Sequence, residues 1–102
     1  VERAMRMIWQ QVEDGLTVRD LVDRLPVSPR TLVRRFEKAL GRTPHQEIRR
    51  SQTSAARRLL ITTDMPLGEV AVRSGLGTAS NLSQAVRRTY GLSPTRLRRR
   101  HR

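Results

Sequence analysis

The chain repeats itself, and this restricts what it can fold into more than any other feature. Thr31 to Pro44 reads TLVRRFEKALGRTP, and Asn81 to Pro94 reads NLSQAVRRTYGLSP, at a constant offset of 50. Leu32 aligns with Leu82, Phe36 with Val86, Lys38 with Arg88, Leu40 with Tyr90, Gly41 with Gly91, and Thr43-Pro44 with Ser93-Pro94. Upstream, Val18, Leu21 and Val22 align with Leu67, Val70 and Ala71 at an offset of 49, and the odd residue falls in a turn, where Gly77 has no counterpart. The apolar positions recur every three to four residues, the period of a helix with one buried face. Each copy therefore predicts a short helix, a tight turn and a longer helix opened by Ser or Thr, which is the helix-turn-helix pattern. A solenoid of helical hairpins needs about three or more stacked copies to be stable, and two joined by a long helix do not fit it.

Proline, glycine and capping residues divide the rest into short helices. A first helix is expected from about Glu2 to Asp14, with Met5, Ile8, Trp9 and Val12 at core spacing and Gly15 ending it. Thr17 with Asp20 makes a capping-box start for Val18, Leu21, Val22 and Leu25, and Pro26 stops that helix. Ser28-Pro29 opens the next, closed by Gly41; Thr43-Pro44 with Gln46 opens a long one reaching about Thr62. Pro66, Thr78 and Ser93-Pro94 start the last three. No segment alternates with the period of a strand. The expected fold is all-α: about seven helices, with one helix-turn-helix unit in residues 1–42, a linker helix in 43–63 and a second unit in 64–102, together one DNA-binding domain. At ~28 Å the linker reads as a spacer.

Charge narrows the partner. Lys and Arg number 21 against 9 acids, for a formal charge of +12, and no acid follows Glu69. Such a field favours a polyanion, nucleic acid before an anionic membrane surface, although a charged surface also simply keeps a protein in solution. There is no cysteine, and His45 and His101 stand in no ligand-spaced cluster, so neither a disulfide framework nor a metal site is expected. No paired carboxylates, nucleophile-base set or phosphate-cradling glycine loop points to an enzyme or a cofactor. No apolar stretch approaches membrane-spanning length and no signal peptide opens the sequence, which reads as cytoplasmic and nucleoid-associated. Three aromatic residues in all, mostly at core spacing, argue against a platform for stacking single-stranded bases.

The runs Ser28-Pro29-Arg30-Thr31-Leu32-Val33-Arg34-Arg35-Phe36 and Leu40-Gly41-Arg42-Thr43-Pro44 resemble the first DNA-binding unit of AraC/XylS-type transcriptional regulators. Ala56-Arg57-Arg58-Leu59-Leu60, Gly75-Leu76 and Tyr90-Gly91-Leu92-Ser93-Pro94 continue the resemblance in order along the chain. The stretch from Leu40 to Ile48 is similar to the xylose-operon-regulator branch. The resemblance implies sequence-specific binding of double-stranded DNA, with two reading helices in successive major grooves. It assigns Arg30, Val33 and Arg34 to the base-facing surface, and the same logic gives Ala79, Ser80, Asn81, Ser83 and Gln84 in the second unit. Arg34 has the planar fork that bonds both acceptors of a guanine edge. Thr31, Arg49, Arg50, Arg87 and Arg88 are candidates for phosphate contacts.

It also implies an effector of sugar type, sensed only through a domain beyond this sequence, and RNA polymerase is a candidate further partner. A mainly non-specific nucleic-acid binder or a polymerase-contacting module is the alternative. Three departures from the family pattern stand out. Pro26 replaces a small residue in the first turn, and Leu76 and Val86 replace aromatic ones, so a smaller, looser second core is expected. The stretch from Arg96 to Arg102 fits either a strand of charge trailing along DNA or a solvated tail.

Overall fold

A computed structural model describes residues 2–11 and 17–101. Among them seven helices follow one another, with no strand: α1 (Glu2–Gln11), α2 (Val18–Arg24), α3 (Pro29–Leu40), α4 (Pro44–Thr62), α5 (Leu67–Arg73), α6 (Ala79–Tyr90) and α7 (Pro94–Arg100). The all-α expectation of two helix-turn-helix units holds. Val12, Asp14, Gly15, Arg102 and the side chain of Val18 lie outside the described residues.

The helices begin where local chemistry leaves a backbone N–H needing a partner. The Thr17 hydroxyl accepts from Asp20 N, and the Asp20 carboxylate accepts from Thr17 N at 2.8 Å, closing the expected box. That backbone N–H, with the Thr17 hydroxyl, holds the Asp20 carboxyl below its usual range. Ser28, Thr78 and Ser93 each cap the third residue beyond them, and Thr43 with Gln46 forms a second reciprocal box. α3 and α6 end alike, on Gly41 (φ +72°) and Gly91 (φ +74°) in the left-handed region. Only glycine enters that region without a Cβ clash.

The chain packs as two compact units, Val1–Ser51 and Gln52–Arg102, and the boundary falls inside α4. In the first, Ala4 and Ile8 of α1, Leu21 of α2, Leu32 and Phe36 of α3 and Ile48 of α4 form the core. In the second, Ala56 and Leu60 of α4 pack with Val70, Ala71, Leu76, Leu82, Ala85, Val86 and Leu97. α4 is therefore more than a spacer, since each half is sealed into a different core. Burying a side chain such as Phe36 or Leu60, both fully enclosed, contributes ~1.5–3 kcal/mol.

Two expectations need correction. The second core is not thin: Val86 is wholly buried and Leu76 nearly so, in one cluster with Leu60, Leu82 and Leu97. Trp9 is not in the core. It is 56% exposed, and its indole Nε1 donates to Glu47 at 3.2 Å. Residues from Pro94 to Arg100 form the last of the expected helices, α7. From it Arg98 donates to the carbonyls of Leu60 (3.0 Å) and Met65 (2.7 Å). With Thr62 bonded to Arg58 O and Thr63 to Leu59 O, the last turn of α4 keeps three of its carbonyls paired by side chains.

The two interhelical turns also differ. In the second, Gly75 (φ +87°) and Gly77 (φ +94°) are left-handed, and Gly77 N bonds Ala71 O at 2.8 Å. The first carries Pro26 and no positive φ. The residue that offsets the two halves of the repeat, Gly77, is absorbed in the second turn.

Candidate nucleic-acid interface

The core fixes which side of each longer helix faces out. Leu32 and Phe36 are buried along one edge of α3, so Arg30 and Arg34, one turn apart, project on the opposite side. Both are exposed, and neither has a side-chain hydrogen bond or ion pair among the described residues. Val33 lies at the shoulder, half-buried. Thr31 is half-buried too, and its hydroxyl accepts from Ser28 Oγ at 2.9 Å, which ties it to the cap.

α6 presents the same geometry with other chemistry. Leu82, Ala85 and Val86 face in; Ala79, Ser80, Asn81 and Gln84 are exposed, and Ser83 is half-buried. Ser80 and Gln84 occupy the places of Arg30 and Arg34 in the repeat. Asn81 is partly engaged already: its Nδ2 donates to Leu76 O at 3.0 Å, leaving its oxygen open. Arg87 and Arg88 are exposed on the last turns, with Arg87 Nε 3.4 Å from Ser83 Oγ. The first reading surface is thus cationic, the second small and neutral with cations behind it.

At the start of α4 lies a feature the spacing arguments missed. Glu47 is fully buried, yet ionised. Burial alone would raise its pKa, but hydrogen bonds from Arg50, Arg42 and Trp9 outweigh that and lower it to about 2. Arg50 reaches it at 2.5 Å and Arg42 bonds its second oxygen. Arg50 therefore meets any phosphate as half of a pair held by a carboxylate, while Arg49 is exposed beside it. The signal was present in the repeat: Glu47 aligns with Leu97, so an acid stands at a core position.

Two further supports were not legible as motifs. Gln52 of α4 donates to Gly75 O at 3.2 Å, holding the second turn from beneath. Arg57 lies 5.7 Å above the ring of Tyr90, a cation–π distance. Among the described residues, no group of three or more acid, histidine or cysteine side chains could hold a metal. No described helix is long and apolar enough to cross a membrane.

Comparison with known proteins adds the following. A helix-turn-helix domain family matches residues 21–100. The probable transcriptional regulator LumQ of Photobacterium leiognathi is 34% identical over 89 residues, 87% of this chain and 36% of that protein. The DNA-binding domain of the global transcriptional factor AdpA, solved in complex with a target DNA, superposes with a TM-score of 0.93. The two are 31% identical, and the match covers 99% of this chain and 91% of that one. The xylose-binding transcription activator xylR gives a TM-score of 0.82 at 26% identity, covering 94% of this chain and 25% of that one, so the xylose branch is one neighbour among several. The chain spans about a third of the length of the curated relatives it matches.

Proposed function

This chain belongs to the AraC/XylS family of helix-turn-helix DNA-binding domains, binding modules rather than enzymes, and on that basis we propose that it reads specific sites on double-stranded DNA for a bacterial transcription regulator. The observation that carries the proposal is the outward face of α3. Two guanidinium groups one turn apart, on a helix capped at Ser28 and closed at Gly41, have no side-chain hydrogen bond or ion pair among the described residues. A helix of that kind enters a major groove with the residues near its start at the base edges. Arg34 bonds a guanine, Arg30 assists, and Val33 meets a thymine methyl.

In the second unit Gln84 reads an adenine, Asn81 offers its remaining oxygen, and Ala79, Ser80 and Ser83 permit close approach. Thr31, Arg49, Arg50, Arg87 and Arg88 set the register on phosphates. The two helices take successive major grooves. RNA polymerase is a further partner of the full-length regulator, acting on the nucleoid in the cytoplasm, and an effector of sugar type acts through another part of it.

The test is a titration of the chain against random duplexes and duplexes selected from a pool, at two salt concentrations. A selected site preferred by ~4–10 kcal/mol, with a steep salt dependence, is the expected outcome. Equal affinity for every duplex would leave only non-specific binding.

A further inference from the structure

The reading above leaves one charged surface without a role, and it lies on α7. Arg96, Arg99 and Arg100 follow the spacing that places side chains on one side of a helix. With Leu92 they line a single shallow depression in the second unit. All three are exposed, and none has a side-chain partner among the described residues. Arg98, between them, is turned to the carbonyls of Leu60 and Met65 and takes no part.

The repeat shows what is unusual here. The aligned residues of the first unit are Gln46, Arg49 and Arg50, and there Glu47 binds Arg50. In the second unit the place of Glu47 belongs to Leu97, buried at 3% exposure, so no acid answers the arginines. The last acid in the chain, Glu69, is paired with Arg73 at 3.2 Å. Three guanidinium groups thus crowd one depression, and like charges at this spacing repel. A ligand with closely spaced negative charge removes that repulsion, and planar guanidinium forks match phosphate oxygens two at a time. Among the described residues Leu92 is the only apolar one of the lining, too little to anchor the buried centre of a protein partner.

We propose that Arg96, Arg99 and Arg100 form a sequence-independent grip on the phosphate backbone of duplex DNA, in the unit whose reading helix is least charged. The proposal rests on the DNA reading above. It divides labour within the second unit: α6 touches bases lightly and α7 supplies attachment.

The chain, a variant with Arg96→Gln, Arg99→Gln and Arg100→Gln, and one with Lys at the same three positions are titrated with a selected duplex and a random duplex across a salt series. The Gln variant is expected to melt as the parent does, since these side chains are exposed and have no hydrogen bond or ion pair among the described residues. Its slope of log affinity against log salt falls by about two to three, and both duplexes weaken on the order of a hundredfold at roughly 0.1 M salt. The ranking of duplexes stays the same, and the Lys variant keeps the parental slope. An unchanged slope in the Gln variant overturns the grip and leaves the patch to an acidic protein surface; a changed ranking overturns its sequence independence. If the parent chain itself binds no duplex, the DNA reading fails first and the grip with it.

Discussion

Single residues divide into those that meet DNA and those that hold the ones that do. Arg34 is exposed and has no hydrogen bond or ion pair of its side chain among the described residues, so Arg34→Ala is expected to leave the melting temperature unchanged. It should cost ~1–3 kcal/mol of binding and relax the choice at one base pair, whereas Arg88→Ala weakens all sequences alike; comparative titration on single-base variants of a selected site decides between these patterns. Glu47 is the opposite kind of residue. Its carboxylate is enclosed, and Glu47→Gln removes the charge from beneath Arg42 and Arg50. A loss of ~1–3 kcal/mol in stability is expected, less than for a fully buried pair because both arginines remain partly in water.

The same residue gives a pH dependence with a defined sign. Its folded pKa is lowered from the ordinary 4.5 to about 2, so its stabilisation is complete above 4.5 and disappears as pH falls from there toward 2. The contribution is up to about 3 kcal/mol. Thermal melts of parent and Glu47→Gln should differ most at neutral pH and converge near the acid limit. A constant difference across that range would contradict the assignment.

At the scale of helices, ends matter more than middles. Gly91 closes α6 at φ +74°, where a Cβ would have open space but a strained backbone. Gly91→Ala should therefore destabilise by ~1 kcal/mol. Gly68, inside α5, has no positive φ and nothing within 4 Å of an added Cβ, so Gly68→Ala should stabilise by ~0.4–1 kcal/mol. Denaturant midpoints of the two variants must move in opposite directions. Helix ends were also the most legible part of the sequence. Thr17, Ser28, Thr43, Thr78 and Ser93 act within three residues of themselves, and a local rule reads a local bond.

The exposed face of α3 was legible for a related reason, because burying Leu32 and Phe36 dictates what is left outside. Trp9, Arg98 and Glu47 were not. The bond between Trp9 and Glu47 and those of Arg98 to Leu60 and Met65 span 33 to 38 residues, and no periodicity encodes a bond over that distance. Trp9 has the spacing of a core residue and lies at the surface because its indole N–H answers a buried charge. Leu76 and Val86 misled in the other direction, since both are buried in a core that also draws on residues from α4 and α7.

For the whole molecule the decisive quantity is where the positive charge lies, since every acid except Asp64 and Glu69 precedes Gln52. Rapid-mixing measurements are expected to show association slowing with added salt far more than dissociation, because the field acts before contact. Arg34→Ala, by contrast, should leave the association rate nearly unchanged and speed dissociation from a selected site. The missing acids of the second half then have a consequence in time. The more strongly charged end is drawn to the double helix earlier and with little regard to sequence, and the discriminating end is delivered to base pairs it has still to test. On the proposal that α3 reads bases and α7 holds phosphates, the order of arrival follows from which half of the repeat carries the carboxylates.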